Sequence, residues 1–256
     1  MVPVDKVIGG EFLYYKNGFD FALIRGLGRI GAAISPANNE ETFFGPPSLE
    51  FDETRALRLE NNEKYKSSKI ALAGAFNAYR GKRTGLRRLE LNVGLMARYN
   101  RDTQGILPGG GVSGILGPFT FGYSIYSDET MLEYDPMGSD SRPVVKYNAE
   151  SVSAGFYLDS LILDYSVIRL YTERPMSVNV LTGSVLLKRF ILTASWRNEK
   201  SDRSYYDYET KTLIPMQDKE AIFAGVQYRV APFLMIGAFH NYYLVGDITL
   251  GTTLLF

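Results

Sequence analysis

The polar and apolar positions of this chain alternate with a period of two over most of its length. In LELNVGLMARY, Leu89, Leu91, Val93, Leu95, Ala97 and Tyr99 alternate with Glu90, Asn92, Gly94, Met96 and Arg98. In FTFGYSIY, Phe119, Phe121, Tyr123 and Ile125 alternate with Thr120, Gly122, Ser124 and Tyr126. FILTASWRNE sets Phe190, Leu192, Ala194 and Trp196 against Ile191, Thr193, Ser195 and Arg197. The end of the chain sets Ile248, Leu250, Leu254 and Phe256 against Asp247, Thr249, Gly251 and Thr253. Segments 147–158, 161–171, 176–188 and 220–230 read in the same way. Successive side chains of a strand point to opposite faces, so this pattern predicts strands with one apolar and one polar face. No window of comparable length carries a helical stripe. The chain is all-β.

Connections between these strands alternate in length. Tight links at 116–118, 158–160, 188–189 and 231–232 alternate with longer segments at 100–105, 131–146, 172–176 and 200–218. Short turns at one end and longer loops at the other are the pattern of a transmembrane antiparallel up-and-down barrel. A soluble sandwich would also alternate, but it packs its apolar faces together. Three features favour the membrane: strands long enough for a tilted crossing, small polar residues on the polar faces, and tyrosines near strand ends. These tyrosines are Tyr14, Tyr15, Tyr79, Tyr99, Tyr126, Tyr171, Tyr228, Tyr242 and Tyr243. The terminal Phe256 closes an alternating strand, as in bacterial outer-membrane proteins.

From residue 69 onward, strands are expected to start near 69, 88, 106, 118, 147, 160, 176, 190, 219, 233 and 247. An even total keeps both termini at one side of the membrane. Segments 6–15 and 18–26 form a hairpin, because Asn17-Gly18 suits a type I′ turn. A third N-terminal strand over 49–60 (LEFDETRALRLE) brings the total to fourteen. Twelve is the alternative if the hairpin stands outside the wall. The expected organisation is a single barrel domain over 1–256.

Composition agrees with this picture. Basic and acidic residues balance at 28 each, so no bulk attraction to nucleic acid is expected. Cysteine is absent, which removes disulfides and thiol chemistry. No apolar run is long enough for a transmembrane helix. The N-terminus lacks a secretory signal pattern, so an exported form already processed is expected, resident in a bacterial outer membrane.

FALIRGLGRIGAAIS contains Gly26, Gly28 and Gly31 in the spacing of a dinucleotide-binding loop. Such a loop must open a helix inside a βαβ unit. Pro36 falls in the first turns of that helix, Gly45-Pro46-Pro47 ends any remainder, and no βα alternation follows. The cofactor reading fails, and no other cofactor is expected.

The same stretch, RGLGRIGAAISPANNEETFFGPPSLE, resembles a segment of the long-chain fatty-acid transporter (FadL-like) superfamily. Arg25, Gly28, Gly31, Ala32, Pro46 and Leu49 fall on its positions, while Arg29 and Gly45 depart from it. PGGGVSGILGPFTFGYSIYSDE (108–129) is similar to a hairpin of that superfamily. The resemblance implies a fourteen-stranded barrel and a hatch over 25–49 that plugs the lumen, with Arg25, Gly26, Gly28, Gly31, Pro46 and Pro47 as its candidate residues. A plain connection is the alternative reading of that segment, since strand glycines are often merely structural.

Charges on the polar faces are Glu90, Arg98, Asp164, Arg197, Glu199, Arg229 and Asp247. In hydrocarbon each would cost ~2–4 kcal/mol at worst, so they are expected to line the lumen or the interface. Both signs occur, which predicts ion pairs rather than a selective ring of one sign. The one histidine, His240, has Asn241 on the opposite face and no catalytic constellation around it, so no enzyme and no metal site are expected. Following the resemblance, the expected function is passage of small hydrophobic or amphipathic molecules across the outer membrane. A barrel that scaffolds an envelope protein partner through Tyr205, Tyr206 and Tyr208 is the alternative. Expected partners are therefore membrane lipids and lipopolysaccharide, a hydrophobic small-molecule ligand and an envelope protein.

Overall fold

The computed structural model describes residues 7–15, 18–38, 69–81, 89–101, 103–131, 144–171, 176–201, 204–207, 212–215, 219–241 and 247–255. The wall begins with β1 (Val7–Tyr15), β2 (Gly18–Gly26), β3 (Ile30–Asn38) and β4 (Lys69–Arg80). It continues with β5 (Leu89–Asn100), β6 (Gly105–Leu116), β7 (Phe119–Met131), β8 (Val144–Tyr157) and β9 (Leu161–Tyr171). β10 (Met176–Leu187) and β11 (Phe190–Ser201) follow; a separate ribbon of β12 (Ser204–Asp207) and β13 (Thr212–Pro215) then stands in the next connection. β14 (Lys219–Ala231), β15 (Leu234–Asn241) and β16 (Asp247–Leu255) complete the wall. Each wall strand pairs antiparallel with its neighbours, and β16 pairs with β1, for example Leu250 with Tyr14. The described residues form a closed barrel of fourteen strands and contain no helix, the strand class that the alternation predicted and the favoured strand number.

Closure leaves the wall without a sheet edge, which a bilayer requires because it offers no water to unpaired backbone groups. The two faces are those read from the alternation. On β5, Glu90, Asn92, Arg98 and Asn100 are buried in the lumen, whereas Leu89 to Tyr99 at odd positions are exposed, Leu95 at 73 %. Phe119, Phe121, Tyr123 and Ile125 of β7 share that outer face. On β8–β10 the outer face turns polar toward the long loops. There Arg169 Nη1 pairs with Glu150 at 3.0 Å and the Tyr165 hydroxyl donates to Asn179 Oδ1 at 2.9 Å.

The N-terminal third departs from expectation in one strand. The third strand is Ile30–Asn38, and segment 49–60 lies outside the described residues. Pro36 does not end the ladder, because the register slips beside it on both neighbours: between Ser35 and Asn38 against β4, and between Phe21 and Leu23 against β2. A bulge is where a strand tolerates a residue without an N–H.

Arg25, Gly26 and Gly31 are therefore wall residues, not a hatch: Arg25 pairs with Ile8 and Ala32, and Gly26 with Gly31. The glycines serve the turn between β2 and β3. Gly28 has φ of 107°, and the Leu27 N–H bonds to Ile30 O at 2.8 Å. Pro46 and Pro47, like all of 39–49, lie outside the described residues. Gly28→Val is expected to cost ~1–3 kcal/mol, the strain of a β-branched residue held at positive φ. Urea unfolding followed by heat-modifiable gel migration measures it, and an unchanged midpoint would contradict the turn assignment.

Candidate functional site

The lumen has two unlike zones. Toward the short-turn end, a chamber of about 600 Å³ is lined by Ala33, Ala73, Ala75, Gly94, Gly111, Ser113, Gly122, Ser124, Ser151 and Ser153, with Glu11, Asn92 and Met96. These are inward positions of β1 and β3–β8, most of them with small side chains where the pattern called for a polar face; Ile24 of β2 and Tyr126 of β7 also reach the chamber. Small residues leave the middle of the barrel open, since a larger side chain at any of them would reach into the space. One close approach is built in. A Cβ on Gly111 would stand 2.5 Å from the Tyr123 carbonyl oxygen and 2.9 Å from Ser124 Cβ. The amide of Asn77 donates to Asn92 Oδ1 at 2.7 Å, which ties β4 to β5 inside the chamber.

Toward the long-loop end the inner face of β4–β9 carries a buried ionic and apolar cluster. Asp128 of β7 is fully buried and accepts from Lys69 Nζ of β4 at 2.8 Å. Its second oxygen faces Arg98 Nη1 of β5 at 2.9 Å. Lys69 Nζ also donates to Glu129 O at 2.8 Å, and Arg98 Nη2 to Ser127 O at 3.2 Å. The Arg98 guanidinium lies 5.1 Å from the centre of the Tyr126 ring. Thr103 Oγ1 donates to Glu129 Oε1. Beside these charges, Tyr147, Ala149 and Leu170 form a buried apolar cluster against Tyr126 and Ile168. Buried ion pairs persist only when their remaining polar valences are met, and here backbone oxygens and an aromatic face supply much of that.

The candidate lumen charges sort as follows. Glu90 faces inward and pairs with Arg80 Nε at 3.2 Å near the short-turn end. Arg98 is a centre of the outer cluster. Asp164 shares the inward row of Gly155 and Thr182, and Arg197 that of Val180. Arg229 lies on the inward face close to the β14–β15 turn, opposite Met235. The side chain of Asp247 lies outside the described residues. Arg25 faces outward, in register with the exposed Ile8, so it does not meet Glu90 or Asp164. His240 likewise falls on the outer face, in register with the exposed Ile248.

Sequence reading missed Lys69, Asp128 and Tyr147. Their signal is a charged or phenolic residue continuing an inward parity at a strand end: Asp128 follows Gly122, Ser124 and Tyr126 at even spacing. Tyr126, expected in an interfacial girdle, instead points into the lumen, as its place in the polar set required. Nothing in local spacing could have shown that β4, β5 and β7 bring three charges together. Among the described residues no group of three or more metal-ligating side chains occurs.

No family model and no curated protein matches this sequence. Solved structures do. A porin refined at 1.8 Å resolution aligns over 98 % of this chain and 99 % of its own, with a TM-score of 0.50 at 9 % identity. OmpT, an outer membrane protein of Vibrio cholerae in a trimer form, aligns over 98 % of this chain and 97 % of its own, with a TM-score of 0.47 at 10 % identity. The outer membrane channel DcaP of Acinetobacter baumannii aligns over 98 % and 95 %, with a TM-score of 0.43 at 10 % identity. With closure, an outer apolar face and tight turns at one end, the likeness to the porin makes this fold that of an outer-membrane β-barrel.

Proposed function

We propose that the barrel passes small amphipathic or hydrophobic molecules across the outer membrane. The observation that carries this reading is the chamber of about 600 Å³, walled by glycine, alanine and serine beneath the buried ionic cluster. Such a wall offers hydroxyls and backbone but few charges, so it suits solutes with little hydration to lose. The reading matches what the likeness to fatty-acid transporters implies, but it rests on the chamber and needs no hatch. The Lys69–Asp128–Arg98 cluster would set the outer limit of the chamber, and the inward residues of β3–β8 its width.

Influx of a short-chain uncharged alkyl glycoside into proteoliposomes tests it. The intact barrel is expected to speed influx over empty vesicles. Ser124→Trp, which fills the chamber, is expected to abolish most of the gain. Val152→Trp, on the outer face of β8, should leave influx unchanged. Influx no faster than through lipid alone would overturn the proposal.

A further inference from the structure

The outer face of β2–β5 carries a feature that passage through the lumen does not use. A groove of about 590 Å³ runs over Ala32, Gly74 and Ala97, flanked by Leu23, Ile34 and Leu72. It lies outside the barrel, because Leu23 and Leu72 at its sides are exposed outward-facing residues and Leu95 stands at its far end. One register row follows it: Arg25 opposite Ala32, Ala32 opposite Gly74, Gly74 opposite Leu95. Arg25 is the residue before the end of β2, whereas Gly74 and Leu95 sit in the middle of β4 and β5. The row thus climbs from the short-turn end into the apolar band.

Charge marks the low end. Arg25 lines the groove, and Arg29 lies in the β2–β3 turn beside it, its carbonyl accepting from the Asn77 N–H at 2.8 Å. Both side chains are exposed, and among the described residues no carboxylate pairs with either. In outer-membrane barrels the short turns lie on the periplasmic side. The Arg25 guanidinium at that level stands where the phosphates of the periplasmic leaflet lie, and arginine holds phosphate by forked hydrogen bonds. Arg29, next to the outward Ile30 and opposite Asn77, follows the inward parity and does not line the groove. An apolar trough leading from an outward cation into the hydrocarbon matches one molecule: a single phospholipid.

We propose that this groove is a phospholipid site, with the phosphate on Arg25 and an acyl chain lying over Ala32 and Gly74. The small residues make the trough, since any longer side chain there would fill it. A Cβ on Gly74 would meet only Gly31 O, at 3.9 Å, so a larger residue fits without moving backbone.

Native mass spectrometry of the barrel, loaded with equal amounts of dioleoyl phosphatidylglycerol and dioleoylglycerol, reads the site. The wild type is expected to retain one phosphatidylglycerol and little diacylglycerol. Retention should fall about five-fold in R25Q, as expected for ~1 kcal/mol per basic residue at a lipid surface. R25K should restore much of it, R29Q should leave it unchanged, and Gly74→Leu should remove it with Arg25 intact. Heat-modifiable migration checks that each variant is folded. Equal retention by wild type, R25Q and Gly74→Leu would overturn the proposal, as would equal retention of diacylglycerol. A dimer of the wild type that Gly74→Leu dissociates would assign the groove to a second copy of the chain instead.

Discussion

Asp128→Ala is expected to destabilise the barrel by ~3–5 kcal/mol, because it removes the carboxylate that Lys69 and Arg98 share in a buried ionic cluster. Lys69 and Arg98 are 2 % and 6 % exposed, and both reach Asp128 within 2.9 Å. Neither can swing to water without breaking its bond to a backbone oxygen, Glu129 O for Lys69 and Ser127 O for Arg98. The loss is electrostatic rather than steric, so it should be relieved by removing the charges together. Lys69→Met/Arg98→Met/Asp128→Leu is expected to recover most of the stability, since apolar replacements of a buried ionic group are often neutral. Urea unfolding of the four proteins in detergent measures both effects. Asp128→Ala should also raise conductance in planar bilayers, because the outer end loses the contacts that hold the inward side chains of β4, β5 and β7 in place. A single variant as stable and as conductive as the wild type would show that the cluster neither braces nor closes that end.

Gly111→Val is the second large effect, expected at about 3 kcal/mol of overpacking. The reason is what the new side chain would meet. At Gly111 the Cβ runs into the Tyr123 carbonyl oxygen and the Ser124 Cα and Cβ, all fixed by the β6–β7 ladder. Gly114, three residues along the same strand, is a control. Its Cβ would meet only the Phe121 ring, on the outer face, where a side chain can rotate into lipid. Gly114→Ala is therefore expected to cost less than Gly111→Ala, although its Cβ would come closer, 2.1 Å from Phe121 Cζ. The order of the two alanine variants in urea unfolding decides the matter. Equal losses would mean that β6 and β7 can part locally, and the close approach would then carry no constraint.

The two expectations connect stability to function. The residues that keep the chamber open are small on the inward side of β3–β8, and those that cluster toward the outer end are large or charged on the same parity. A barrel needs no packed core, since its stability comes from the closed ladder and the outer face in lipid. Its interior is therefore free to be open in one zone and to carry buried charge in another.

Alternation by itself determined the all-β class, the inside and outside of most strands, and the strand starts from residue 69 onward. It could do so because period two is a local property: each residue's face follows from its neighbours'. The candidate charges Glu90, Arg98, Asp164, Arg197 and Arg229 took their inward faces for the same reason. The tertiary structure alone decided three things. It placed β3 at Ile30–Asn38, where Gly31, Ala32 and Ala33 are small on both faces and leave no alternation to read. It turned Arg25 outward, because its face is set by pairing with Ile8 and Ala32 rather than by the glycines beside it. It brought Lys69, Arg98 and Asp128 together, because the registers of β4 to β7 align inward strand-end residues far apart in the chain on one side of the lumen.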